Sequence, residues 1–396
     1  MPLTGTKVLD LSRVLAGPWC AQTLADLGAD VWKVEEPGRG DDTRAWMPPE
    51  IEGESTYYMS ANRSKRSIAV DLKHPDGQRI VRELAMKADV LVENYKKGTL
   101  ERFGLGYEQL SALNPRLVYC SISGYGRTGP RADEPGYDFA IQAESGLMSI
   151  TGEPGGAPMK HGMAITDLVT GMNAAQAVLA ALLARVRTGK GQLIDMALLD
   201  CAVALLANMA SGHIVTGAEP QRLGNAHPTV VPYQVFETSD GDFVLAVGND
   251  SQFRALCDKV VGLPDLSVDP RFATARGRVI HREALIPELA AAFRTRPTAE
   301  WIAALHREKV PCGQVRNLTQ VFASPEIAAR RMVAEVQDAR HGTVKLMRSP
   351  LALRGTPTRE PTSPPRLAEH TAALLSEVLG LDATAIAALR ASGAVS

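Results

Sequence analysis

The sequence predicts an α/β protein, with a large domain built on a parallel sheet and a smaller α+β domain placed late in the chain. Three observations carry this. Short apolar, β-rich runs alternate with helical stretches through the first hundred residues. The block at about 226–325 changes to a hairpin pattern followed by helices. A Pro-rich stretch, TPTREPTSPPR (356–366), sets the final helical patterns apart. Strand–helix alternation with short connections is the signature of parallel sheets with helical crossovers.

In chain order, KVLDLS (7–12) reads as a buried strand, RVLAGP (13–18) as a loop and WCAQTLADLGA (19–29) as a helix. VWKVEEP (31–37) and SIAVDL (67–72) are further strands, the first ended by its proline. HPDGQRIVRELAMKA (74–88) opens with a Pro-Asp helix start. DVLVENY (89–95) and RLVYCSISGYG (116–126) continue the strand series, and a turn-rich segment follows (126–138). A long apolar helix runs on from Asp167 to Gly189, then a strand at 192–197 and a helix at about 198–211. Residues 228–249 form a hairpin around SDGD, followed by three helical stretches at 251–262, 281–295 and 298–309. The last helix pair covers 370–380 and 382–393. The expected division is therefore 1–200 for the first part of the large domain and 201–225 for a connecting helix or linker. The small domain takes 226–325, and 326–396 is a return linker whose helices complete the large domain. At 396 residues the chain is long for one core.

Composition excludes several classes. Lys plus Arg (43) nearly cancel Asp plus Glu (44), so there is no basic field for nucleic acid. The cysteines, Cys20, Cys120, Cys201, Cys257 and Cys312, form no CxxC pair and are odd in number. Neither a disulfide framework nor a structural zinc site is expected, and a reducing cytoplasm fits. The most apolar run, Ala177–Ala184, is too short for a membrane span, and the N-terminus lacks signal-peptide anatomy. The eight histidines are scattered, so no metal site is expected.

The first strand–loop–helix unit invites a dinucleotide-binding reading, with Glu35 and Glu36 near where a ribose partner would sit. However, VLAGPWC lacks G-x-G-x-x-G, and NAD is not expected. What survives is a helix opened by Gly17-Pro18, whose N-terminus can receive a phosphate. Basic clusters at Arg63, Lys65 and Arg66 and at Lys96, Lys97 and Arg102 flank strand ends. They suit a polyanionic phosphate ligand, although a solvated basic loop has the same composition. Asp167, ahead of the apolar helix, is by itself a good N-cap. Gly171 and Asn173 are poor helix-interior residues, and Gly171 points to close packing. A carboxylate there would feel the helix dipole, stay ionised, and be able to attack a thioester.

Several motifs together resemble class III coenzyme A transferases. They are KVLDLSRVLAGPWCAQTLADLGADVWKVEEPGRGDDTR, NRSKRSIAVDLK, ADVLVENY, NPRLVYCSISGYG, the TD before the long helix, RTGKGQ and AEHT, in register along nearly the whole chain. The resemblance implies a Rossmann-like large domain, a small domain and an interlocked homodimer. It implies Asp167 as the nucleophile, passing through an aspartyl anhydride and an enzyme–CoA thioester. It sets coenzyme A against Val14, Leu15, Ala16, Val70, Asp71 and Leu72, and against Lys73, Asn94, Tyr95, Lys96, Arg102 and Tyr137. Glu36 and Pro135 stand where formyl/oxalate members carry an arginine and a lysine, so those acids are not the expected acceptors. The segment 224–253 looks most like members that move CoA from succinyl-CoA to glutarate or similar dicarboxylates. Arg44, Arg131, His161 and His227 are candidates to hold the far carboxylate of such an acceptor. Two other readings remain open at this point. One is an α-methylacyl-CoA racemase, which needs a histidine where Tyr137 stands. The other is a CoA-binding protein without catalysis.

Overall fold

A computed structural model describes all residues, 1–396, in two compact units. The first comprises 1–147, 160–218 and 326–396; the second comprises 148–159 and 219–325. The expected connecting segment, 201–225, thus belongs to the first unit as far as Ala218, and the stretch 148–159 joins the second.

The first unit is built on six parallel strands: β1 (Lys7–Asp10), β2 (Asp30–Glu35), β3 (Arg66–Ala69), β4 (Val90–Glu93), β5 (Val118–Ser123) and β6 (Leu193–Ala197). Their spatial order is β3-β2-β1-β4-β5-β6. Leu9, for example, lies between Trp32 of β2 and Leu91 of β4. Because the first three strands run outward one way and the rest the other way, β1 and β4 mark a topological switch point. The crevice beyond their carboxyl ends is where such sheets bind ligands.

Helices cover both faces. They are α1 (Ala16–Asp26), α2 (Thr56–Asn62), α3 (Pro75–Lys87), α4 (Asp138–Glu144), α5 (Ile165–Thr188), α6 (Leu198–Leu205) and α7 (Ala207–Thr216). The first five strands are buried on both sides, so they read as apolar runs rather than as alternation, whereas the edge strand β6 leaves Leu193 and Asp195 exposed. On one face Leu9, Trp32, Ile80, Leu84 and Leu91 meet the C-terminal helices through Leu374 and Leu389. On the other, Val8, Leu24, Val90 and Ile122 meet Ala174, Ala175 and Val178 of α5. Residues 333–338 and 342–347 form an antiparallel hairpin that the sequence reading passed over as linker. Its buried side chains, Ala334, Val336, Val344 and Leu346, pack on Met59.

The second unit has the expected hairpin, Tyr233–Glu237 against Asp242–Ala246, with Cys312–Gln314 as a third strand. An aromatic core of Phe236, Phe243, Phe293 and Trp301 holds its helices to the sheet.

All five cysteines are free thiols. The 24-residue α5 is long and apolar enough, by length and composition, to cross a membrane, with about a third of its most apolar stretch buried. The local run that looked too short is only part of this helix.

Candidate active site

The loop between β1 and α1 opens the crevice. Arg13 is tied to the end of β4 twice: its N–H donates to Asn94 Oδ1 at 2.9 Å, and its carbonyl accepts from Asn94 Nδ2 at 2.7 Å. This pairing spans the switch point. A cavity of about 230 Å³ lies beside it, lined by Arg13–Ala16, Asn94–Lys97, Ile122–Gly124, Pro135–Tyr137, Asp167 and Leu198, among others. A second cavity of the same volume, also touching Arg13 and Tyr95, is lined by Glu36, Val70–Lys73, Thr99 and Phe103. Of the twelve residues expected to meet coenzyme A, eleven line one of these two cavities. Arg102 lines neither; it is exposed on a short helical turn between Thr99 and Phe103. Lys73 lies 3.4 Å from Glu36, so the acid that departs from the formyl/oxalate pattern meets a lysine at the cavity edge.

Two glycine contacts shape the wall around Asp167. The backbones of Gly124 and Gly136 touch, so a Cβ on Gly124 would lie 2.6 Å from Gly136 Cα. That contact draws Pro135–Tyr137 onto the end of β5. Gly171 lets α5 lie against α1, where a Cβ would meet Ala16 O at 2.6 Å. This is the close packing its presence in the helix predicted.

Asp167 sits in the first turn of α5, two residues after its start, and is not the cap. The cap position is Ala164, which offers no side-chain acceptor. Asp138, at the start of α4, serves instead: its Oδ1 accepts from Thr166 N at 2.8 Å and Thr166 Oγ1 at 2.6 Å. Its Oδ2 accepts from Gln142 Nε2 at 2.7 Å. The carboxyl of Asp167 is half-buried. Burial first, and then the neighbouring Asp138 charge, push its pKa up to about 7. This upward shift runs against the ionised state expected of an acid at a helix start. Tyr57 on α2 faces the same pair of acids; burial and then the charge on Asp167 raise its phenol to about 12. Tyr57 and Asp138 escaped the sequence reading, although PGYD ahead of an apolar helix was a capping signal that could have found Asp138.

The acceptor candidates fare differently. Arg44 is an internal brace: its guanidinium meets Glu35 at 2.8 Å through two nitrogens, Glu54 at 3.1 Å and Tyr58 Oη at 2.6 Å. Those partners replace the acceptor contact expected of it. Arg131 lies over the Tyr125 ring and pairs with Glu134 and Glu144 on the surface. His161 is exposed, with its N–H donating to Gln142 Oε1. Neither Arg131 nor His161 lines the Asp167 cavity. His227 belongs to the second unit, where its ring packs on Tyr233. No group of three or more metal-ligating side chains comes together.

A half-buried carboxylate thus lies in the switch-point crevice of a sheet of order 321456, where doubly wound folds bind their ligands. Residues 3–371 match CoA-transferase family III, and the chain belongs to that family of CoA-transferases. It is 46 % identical over 391 residues to a succinate–glutarate CoA-transferase of Agrobacterium fabrum, covering 97 % of both chains. It is 44 % identical over 394 residues to the human succinyl-CoA:glutarate CoA-transferase, covering all of this chain and 90 % of that one. A CAIB/BAIF family protein from Brucella suis has a crystal structure that superposes with a TM-score of 0.85 at 45 % identity. The match covers 96 % of this chain and 99 % of that one.

Proposed function

We propose that this CoA-transferase takes coenzyme A from succinyl-CoA and gives it to a short dicarboxylate such as glutarate, with Asp167 as nucleophile. The observation that carries the reading is the placement of Asp167 in one cavity with Val14–Ala16, Asn94–Lys96 and Tyr137. The ionised Asp167 Oδ attacks the thioester carbonyl carbon of the donor. The C–S bond breaks, the CoA thiolate leaves, and an aspartyl–succinyl anhydride remains. The thiolate then attacks the Asp167 carbonyl and expels succinate, which gives an enzyme–CoA thioester. The acceptor carboxylate attacks that thioester and releases the thiolate, forming a second anhydride. Attack of the thiolate on the acceptor's acyl carbon yields the new thioester and frees the Asp167 carboxylate. Each step exchanges one acyl bond for another, so neither water nor an oxidant is consumed.

The direct test supplies the purified protein with succinyl-CoA and, in turn, glutarate, itaconate, malate, oxalate, formate and acetate. Glutaryl-CoA formed in step with free succinate is the expected result. Absence of any new thioester, or equal rates with mono- and dicarboxylates, would overturn it. Deuterium entering the α-position of a branched acyl-CoA without an acceptor would favour a racemase instead.

The functional unit in this reading is a homodimer, interlocked as the family resemblance implies. Support comes from apolar side chains left in water on helices of the first unit. Leu183 is 69 % exposed and Val186 81 % on α5, and Ile214 is 79 % and Val215 82 % on α7. Exposed apolar faces of this kind mark association surfaces. Light scattering of the purified protein is expected to give the mass of two chains, and Val186→Glu/Ile214→Glu to weaken the assembly. A monodisperse monomer at micromolar concentration would refute the dimer.

A further inference from the structure

We propose that Asp41, held by Lys33, is a positioning residue that keeps Val14 left-handed and sets the Ser12–Ala16 loop before any ligand arrives. The inference rests on the reading of this crevice as a coenzyme A site. Val14 has φ +71°, an outlier for a β-branched side chain. Such a conformation persists only where its surroundings over-determine it. Each of the three residues Ser12–Val14 is held by a polar or charged side chain. Ser12 N donates to Asp10 Oδ1 at 3.0 Å, and Ser12 O accepts from Lys33 Nζ at 3.0 Å. Arg13 is held through its N–H and its carbonyl by Asn94. Val14 N donates to Asp41 Oδ1 at 3.3 Å.

The holders are themselves held. Lys33 Nζ lies 2.9 Å from Asp41 Oδ2, and Lys65 Nζ lies 2.9 Å from Asp10 Oδ2, with all four side chains fully buried. Asp41 Oδ1 also accepts from Thr43 N and Oγ1. Burial alone would raise the Asp41 pKa, but Lys33 and the Thr43 donors hold it at about 2. Two acids and two lysines neutralise one another, so the cluster does not attract an anionic ligand by net charge. Its contacts go to the backbone of the loop that lines the Asp167 cavity. A buried ion pair used to fix a conformation, rather than to add stability, fits this arrangement.

The test compares three proteins by coenzyme A titration and by steady-state kinetics with succinyl-CoA. Lys33→Met/Asp41→Leu removes both charges together, so neither is left buried alone. It is expected to weaken coenzyme A binding and raise the donor KM about tenfold or more, while kcat stays within about threefold. Adding Val14→Gly, which makes the left-handed conformation free of side-chain strain, is expected to recover most of the lost affinity. Equal falls in kcat and affinity, or no recovery with Val14→Gly, would overturn the proposal. So would unchanged binding in the double variant while the wild type binds. If the wild type itself binds no coenzyme A, the crevice assignment fails instead. A readout independent of folding variants is hydrogen exchange of the unliganded wild type. The Val14 amide should be protected like those of the central strands, and exchange at the rate of an open loop would refute a preset loop.

Discussion

Asp167→Asn is expected to abolish CoA transfer, by at least ~10⁴-fold in kcat, and to leave coenzyme A binding within a few-fold of the wild type. The amide has nearly the same shape, but it cannot form an anhydride under these conditions. The half-buried position of Asp167 in the first turn of α5 tolerates the neutral side chain without a new void. Stability should move the other way. An Asp in the unfolded chain titrates near 3.9, whereas burial and Asp138 raise Asp167 to about 7 in the folded protein. Between these values the folded state holds a proton that the unfolded state has released. The wild type therefore loses stability as pH rises from about 4 to about 7, and the penalty is constant above that. Asparagine has no such penalty. Its melting temperature should exceed the wild type's by a few degrees at pH 8, by less at pH 5.5, and by nothing near pH 4. Hydroxylamine trapping in the presence of succinyl-CoA should mark Asp167 in the wild type and mark nothing in the variant. Turnover retained in the variant, or a hydroxamate at another residue, would remove Asp167 from the mechanism.

Strands β1 to β5 of the large unit were legible because parallel strands buried on both faces leave continuous apolar runs bounded by Gly, Pro and polar turns. Pro37 and the Pro-Asp at 75–76 are such boundaries. The order of the strands was not legible, since no local pattern states that β1 lies between β2 and β4. The hairpin at 333–347 was missed for a related reason. Its two strands bury alternate residues on one face only and contain Glu335, Gln337, Lys345 and Thr343 on the other, which reads as a polar linker. At the site, Asp167 was visible as an acid before an apolar helix, but its environment was not. The acid that caps α5 and raises Asp167 lies 29 residues earlier in the chain. Arg44 looked like a free cation because its partners are scattered. Glu35 and Glu54 lie 9 and 10 residues away, and the Pro365 carbonyl lies 321 away. Sequence supplied the chemistry-bearing residue types; which of them are already neutralised by one another is a property of the folded chain.

A carboxylate that titrates near neutrality makes the reaction strongly pH-dependent, and Asp138 is the handle on it. Only ionised Asp167 can attack the thioester, so kcat/KM for succinyl-CoA should fall about tenfold per pH unit below a midpoint of about 7. The free carboxylate of the donor titrates near 4, as a glutamate side chain does, and cannot produce this limb. A nucleophile of raised pKa is also a more basic one, which favours attack once the proton is gone. Asp138→Asn separates the two causes of the shift. It removes the like charge and retains an Oδ1 that can accept from Thr166 N and Oγ1, so the start of α5 stays capped. Burial of Asp167 is unaltered. The midpoint should therefore move down, by about half a unit or more, without returning to the value of an exposed aspartate. At pH 6 the variant should then outpace the wild type in the fraction of enzyme ionised, and at pH 8.5 the two should differ little on that account. A midpoint that stays in place or rises would show that Asp138 acts on Asp167 through the helix start alone and not through its charge.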